Sequence, residues 1–347
     1  MSTAPEPFGA DATEPTPPTS LPEPPTPLPE PPTPLPEPPT PITEPPTPIT
    51  ERPTPIPEPP TPEPPTSLPT TPTFDPTGRP TRDYPDPPPL ERHGPAAVYA
   101  MCNQKGGVGK TTTTINLGAA LADYGRRVLL VDCDPQGALS VGLGVNPHTL
   151  DRTVYNLLME PDVTVDDIML KTNVPGMDLL PSNIDLSGAE VQLVGEVARE
   201  QVLARALAPV TADYDVVLID CQPSLGLLTV NALTAADGVI VPLECEFFAL
   251  RGVALLIQTI DKVRVRLNPK LHLTGILATK YDARTLHGRE VLSRVVEAFG
   301  DRVFHTVVNR TVRFPETTVA GEPITTYAPT STGALAYRQL ARELLAP

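Results

Sequence analysis

The sequence predicts an α/β fold in which a mostly parallel, twisted sheet carries helices on both faces, preceded by a disordered proline-rich tail. Three observations lead there. From Ala96 to the C-terminus, short apolar runs bounded by turn residues alternate with helix-length segments, as parallel strands joined by helical crossovers require. A glycine-rich loop joins the first of these runs to the first helical segment. And 37 of the 50 prolines precede Ala96, so the chain divides into a tail, residues 1–95, and one folded domain, residues 96–347.

The tail holds 14 acidic and 4 basic side chains, so most of the formal −15 belongs to it and the overall charge says little about the domain. From Leu21 it repeats every seven residues, LPEPPTP giving way to ITEPPTP, ITERPTP and IPEPPTP. Proline at several positions of each unit excludes a helix and favours an extended polyproline II rod with flexible joints. Few large apolar groups offset the entropy of ordering, and the disorder is expected to continue from Thr71 to Gly94. Two readings stand side by side: an acidic spacer, or a docking ligand for a scaffold or polarity protein that reads P-x-x-P-like units.

In the domain, Ala96 to Cys102 forms the first bounded apolar run, typical of a buried parallel strand. Further strands are expected at Arg127 to Asp132, Met177 to Pro181, Tyr214 to Asp220, Gly238 to Pro242, Leu271 to Thr279 and Arg302 to Val308. Helices are expected at Thr113 to Tyr124, Asp185 to Leu207, Phe248 to Leu267, Arg284 to Phe299 and Gly333 to Leu345. Cys102, Cys133, Cys221 and Cys245 form no Cys-x-x-Cys pair, and three lie in or beside apolar runs, so reduced structural thiols in a cytoplasmic protein are expected. No apolar run approaches the ~18–20 residues that span a bilayer. No membrane insertion is expected.

Ligands of such sheets bind beyond the carboxyl ends of the strands. The loop after the first strand reads Lys105-Gly106-Gly107-Val108-Gly109-Lys110-Thr111-Thr112 and opens a helix, the setting of a phosphate-binding P-loop. The pattern departs from G-x-x-x-x-G-K-[ST] in having Gln104 at its first glycine and an extra lysine, Lys105. Glycines turn backbone N–H groups toward phosphate oxygens, and the helix N-terminus adds its dipole. Lys110 is expected on the β- and γ-phosphates of ATP and the Thr111 hydroxyl on Mg²⁺. Two further strands end in carboxylates, Asp132 and Asp134 in RRVLLVDCDPQG and Asp220 in YDVVLIDCQPSLG. Acids at that sheet edge are suited to organising Mg²⁺ and an attacking water.

With these residues in view the chain resembles the ParA/Soj family of deviant Walker A P-loop ATPases, which partition chromosomes or plasmids. The similarity runs from about Val98 to the C-terminus through KGGVGKTTTTINLGAALA, VLLVDCDPQG, LLPSNIDLSGAEVQLV, VLIDCQPSLGLLTVNAL, VPLECEFFALRGV, YDARTLHGREV and NRTVRFPE. The resemblance implies ATP hydrolysis with Mg²⁺ and a homodimer in the ATP-bound state. It makes Lys105 the signature lysine that reaches the partner's nucleotide, Asp134 the residue that positions water, and Asp220 the second-switch aspartate near the metal. Asp132 would support the metal shell. Ala138 stands where many relatives have asparagine and Gln222 where proline is usual.

The resemblance further implies non-specific DNA binding through Lys280, Arg284 and Arg313, a nucleoid-associated location, and a ParB-like centromere-binding protein that stimulates hydrolysis. The net acidity of the domain is unpromising for a DNA binder, yet basic residues gather in its C-terminal half. A MinD-like membrane-acting ATPase is the first rival, but the C-terminal helix reads as a closing core helix rather than a basic amphipathic anchor. An iron–sulfur carrier would need a Cys-x-x-Cys pair. Positioning another cargo by the same mechanism stays open.

Overall fold

The computed structural model describes residues 73–246 and 249–346, so the repeats of the tail lie outside the described residues. Eight strands form one sheet: β1 (Ala97–Met101), β2 (Val128–Cys133), β3 (Leu170–Lys171), β4 (Met177–Leu180), β5 (Val216–Cys221), β6 (Gly238–Glu244), β7 (His272–Tyr281) and β8 (Val303–Asn309). Their spatial order is β3-β4-β2-β5-β1-β6-β7-β8. Neighbours run parallel except the two-residue β3, which is antiparallel to β4.

Strands buried on both faces explain the near-continuous apolar runs. Along β2, Leu129 and Val131 face one core while Val128 and Leu130 face the other. The first core is covered by the helices Leu227–Ala235, Ala249–Arg266 and Leu286–Phe299, and the second by Lys110–Asp123 and Thr332–Leu345. The last helix buries Tyr337, Leu340 and Ala341 there. It is a core helix, and no helix among the described residues is long and apolar enough to cross a membrane.

The expected strands all form, with ends shifted by a residue or two. One long helix does not. Asp185 to Leu207 breaks into Leu186–Gln192 and Val202–Leu207, with short 3-10 turns between them. Ala198 takes a left-handed φ of 54°, which a helix interior does not admit, and Val191, Val194 and Val197 point outward with no apolar face to bury them.

The domain also begins earlier than Ala96. Residues 73–95 lie along the amino ends of β8, β2 and β5, opposite the glycine-rich loop. Asp75 Oδ2 is 2.6 Å from His305 Nδ1, and both side chains are buried. Arg79 donates to the Val303 carbonyl at 2.7 Å, Arg126 donates to the Pro88 carbonyl at 3.1 Å, and His93 Nδ1 lies 2.7 Å from Asp215 Oδ2. Composition marked this segment as tail because of its prolines; partners 38 to 230 residues away hold it in place.

Candidate functional site

The loop after β1 is shaped by two glycines. Gly107 has φ +72° and Gly109, which caps the helix Lys110–Asp123, has φ +89°, a region that L side chains avoid. The helix N-terminus that follows leaves unpaired N–H groups and a partial positive charge, a ready anion site. The loop is pinned from β7, where Thr279 Oγ1 donates to the Val108 carbonyl at 2.7 Å. From β6, the Pro242 carbonyl accepts from Asn103 at 2.8 Å.

A cavity of about 650 Å³ opens over this loop. It is lined by Gly106, Gly107, Gly109, Lys110, Thr111 and Thr112, with Asp134 and Gln136 beside them. Phe314, Pro315 and the mostly buried Tyr337 add apolar surface to the lining, together with Lys280 and Arg310. Lys110 is the buried cation of the site. Val108 is buried below the cavity rather than lining it.

Sheet register makes the carboxylate cluster. Asp132 on β2 is the direct partner of Asp220 on β5, and Asp220 in turn pairs with Met101 of β1. Thr111 Oγ1 donates to Asp220 Oδ2 at 2.6 Å, and Thr114 Oγ1 lies 3.4 Å from its other oxygen. Burial pushes the Asp220 carboxyl up to about 8, helped by the charge of Asp132 and opposed by the Thr111 bond and Lys110. Burial likewise pushes Asp132 up to about 7, against its hydrogen bonds from Ser140. A carboxylate in a dry pocket beside another favours the proton until a cation arrives.

Asp132, expected to support the metal shell, is engaged by donors of its own loop. Its Oδ2 accepts from the Ser140 backbone at 2.9 Å and the Ser140 hydroxyl at 2.7 Å, and its Oδ1 from the Asp134 backbone at 3.2 Å. Both oxygens hold the loop that carries Asp134. Asp134 itself lines the cavity, with its Oδ1 accepting from the Gln136 backbone at 2.9 Å. Among the described residues no group of three or more His, Cys, Asp or Glu could hold a metal alone. The donor set, one hydroxyl and one carboxylate beside a phosphate cradle, fits Mg²⁺, which takes one or two protein oxygens plus phosphates and water.

The proposed DNA residues do not share one surface role. Lys280, at a φ of 49°, lines the cavity and sits 4.0 Å from Glu244. Arg284 is exposed but paired with Asp282 at 2.8 Å, holding that carboxyl down to about 2. Arg313 is exposed and pairs with Glu316 at 3.0 Å. Of the two departures, Ala138 lines the cavity, whereas Gln222 donates to Glu190 at 2.8 Å. The sequence alone singled out none of Glu244, Phe314 and Tyr337, and Arg310 only as one of the basic residues of the C-terminal half. Glu244 stands inside VPLECEFF, and Arg310 and Phe314 inside NRTVRFPE, the only signal available.

Residues 96–273 match the AAA_31 family model, described as an AAA domain. An uncharacterized protein of Mycobacterium tuberculosis is 71% identical over 269 residues, covering 78% of this chain and 85% of that protein. The chromosome partitioning protein ParA of Caulobacter vibrioides is 48% identical over 253 residues, covering 72% and 94%. A Mycobacterium smegmatis structure named cobyrinic acid a,c-diamide synthase, with bound ADP and magnesium, is 47% identical. It matches with a TM-score of 0.63 over 71% of this chain and 92% of that one. A P-loop with two lysines, strand-end aspartates paired by register, and this degree of identity across nearly the whole domain place the chain in the ParA/Soj family of P-loop ATPases.

Proposed function

We propose that the protein is an ATP-dependent partition ATPase whose ATP-bound homodimer adheres to DNA without sequence preference and is reset by hydrolysis. The carrying observation is the convergence of Lys110, Thr111 and Asp134 on one cavity over a helix N-terminus, with the buried Asp220 bonded behind Thr111. In phosphoryl transfer the protein mainly positions groups and neutralises charge. Lys110 and the loop N–H groups hold the phosphates, while Thr111 and Asp220 provide the oxygens for Mg²⁺. Magnesium held there would neutralise phosphate charge. Asp134, on a loop braced by Asp132, orients the attacking water.

Lys105 does not line its own protomer's cavity, which suits a lysine that serves the nucleotide of a second copy across a face-to-face dimer. Two facing nucleotides need cations between them. Arg284 and Arg313 are exposed but paired with Asp282 and Glu316, and phosphates that displace these carboxylates on a patch doubled by dimerisation are held weakly and reversibly. A ParB-like centromere-binding protein is the expected stimulator of hydrolysis, and its identity decides whether the cargo is chromosome, plasmid or another body. For the tail both readings stand, an acidic spacer or a docking ligand for a scaffold or polarity protein.

The test is an electrophoretic mobility shift on non-specific duplex DNA without nucleotide, with ADP and with ATP, using wild type and Asp134→Ala. A shift confined to ATP and stronger in Asp134→Ala supports the cycle. No shift in any state, with ATP binding measured separately, refutes the DNA assignment and leaves the ATPase.

A further inference from the structure

Of the two loop lysines, Lys110 lines the cavity and Lys105 does not. The Lys105 ammonium sits between two carboxylates at the end of β6, 3.4 Å from Glu244 Oε2 and in contact with Glu246. Glu244 is nearly buried and is fixed from the other side. Its Oε1 accepts from Arg310 at 3.2 Å and lies 4.0 Å from Lys280 Nζ, and both of these cations line the cavity. The remaining oxygen is thereby aimed at Lys105. Glu246 is half exposed, and its carboxylate closes the second side.

Burial works against the charge on Lys105, but the hydrogen bond to Glu246 and the charge of Glu244 outweigh it and hold the ammonium above its ordinary range. Lys105 has a flexible four-carbon stem, and swinging its ammonium onto a phosphate of another molecule takes it away from these two carboxylates.

We propose that Glu244 and Glu246 are positioning residues that hold Lys105 on its own protomer, and that this hold must break before Lys105 reaches a second copy's nucleotide. The proposal rests on the face-to-face dimer described above. It gives the nucleotide-free protein a barrier to pairing that a polyphosphate, with its denser negative charge, overcomes. Each dimer breaks two holds, so any change in one protomer enters twice.

Two measurements test it on the full-length chain. In the first, the ATP concentration for half-maximal dimerisation is read by light scattering. Glu246→Gln is expected to lower it about two-fold, as for a solvent-exposed pair, because the two holds broken per dimer are matched by two bound ATP molecules. Glu244→Gln is expected to lower it about ten-fold, because a more buried partner is screened less. Glu246 lies at the surface and touches Lys105, so its variant remains folded even where loss of Glu244 disturbs Arg310 and Lys280. A general loss of structure would raise the ATP requirement, the opposite direction.

In the second, nucleotide-free protein is treated briefly with acetic anhydride and Lys105 acetylation is followed by mass spectrometry, with exposed Lys262 as internal reference. Slower labelling in wild type than in either variant supports the hold. Equal labelling, or a higher ATP requirement in folded Glu246→Gln, overturns it. A wild type that never dimerises sinks the face-to-face reading alone, since the labelling still decides the hold.

Discussion

Thr111 Oγ1 donates to Asp220 Oδ2 at 2.6 Å across 109 residues of sequence. The hydroxyl that the P-loop presents and the carboxylate that ends β5 are therefore brought together before any cation arrives. Thr111→Ala removes a magnesium oxygen and leaves Asp220 buried with less compensation. Nucleotide should still bind through Lys110 and the loop, while phosphate release falls about 100-fold, in the range seen when one transition-state contact is lost. Titrating Mg²⁺ against ATP binding checks it; an unchanged magnesium requirement would exclude Thr111 from the metal site.

The raised Asp220 and Asp132 carboxyls make metal-free stability depend on pH. Their folded values, about 8 and about 7, lie above an unfolded aspartate. The folded state therefore keeps protons that the unfolded state has released, and stability declines as pH rises toward the folded values. Between pH 6 and 8.5, without nucleotide or Mg²⁺, Tm should fall by roughly 5–10 °C. Asp220→Asn should flatten that slope. A Tm that is level over this interval in wild type would show that neither carboxyl holds its proton.

The segment 73–95 belongs to the fold. Deleting residues 1–72 should leave Tm within about 2 °C, as for a change remote from core features. Starting the chain at Ala96 strips His305 and Asp215 of their partners and leaves polar groups buried, at about 1–3 kcal/mol each. Calorimetry on the two truncations should differ by roughly 10 °C. Asp75 adds a sign of its own. Burial opposes ionisation, but hydrogen bonds from Thr77 and His305 prevail and hold its carboxyl low. Its contribution is present above the unfolded aspartate value and is lost as pH falls through the lowered folded one.

For DNA, Arg284→Glu and Arg313→Glu should each weaken ATP-dependent binding while leaving ATP-dependent dimerisation intact. Loss of one phosphate contact should reduce the slope of log affinity against log salt by about 1 per arginine. Lys280→Glu is different, because Lys280 lines the cavity; it should impair nucleotide binding as well. A wild-type salt slope in both arginine variants would place the DNA surface elsewhere.

The amino-acid sequence by itself determined the P-loop, the alternation of strands and helices, and the two strand-end carboxylate motifs. Each of these is local: positive-φ glycines, short apolar runs and an acid at the end of a strand are visible within about a dozen residues. Only the tertiary structure decided which residues meet across the sheet. Register pairs Asp132 with Asp220 and leaves Asp132 bracing the Ser140 loop. The carboxyl end of β7 carries Lys280 into the cavity wall rather than onto an open face. Glu244 gathers Lys105 and Arg310 from either side in sequence, and Asp75 finds His305. Such pairs form because the sheet order places β1, β6, β7 and β8 side by side, and a low-dielectric setting makes charges seek partners however far apart they lie along the chain.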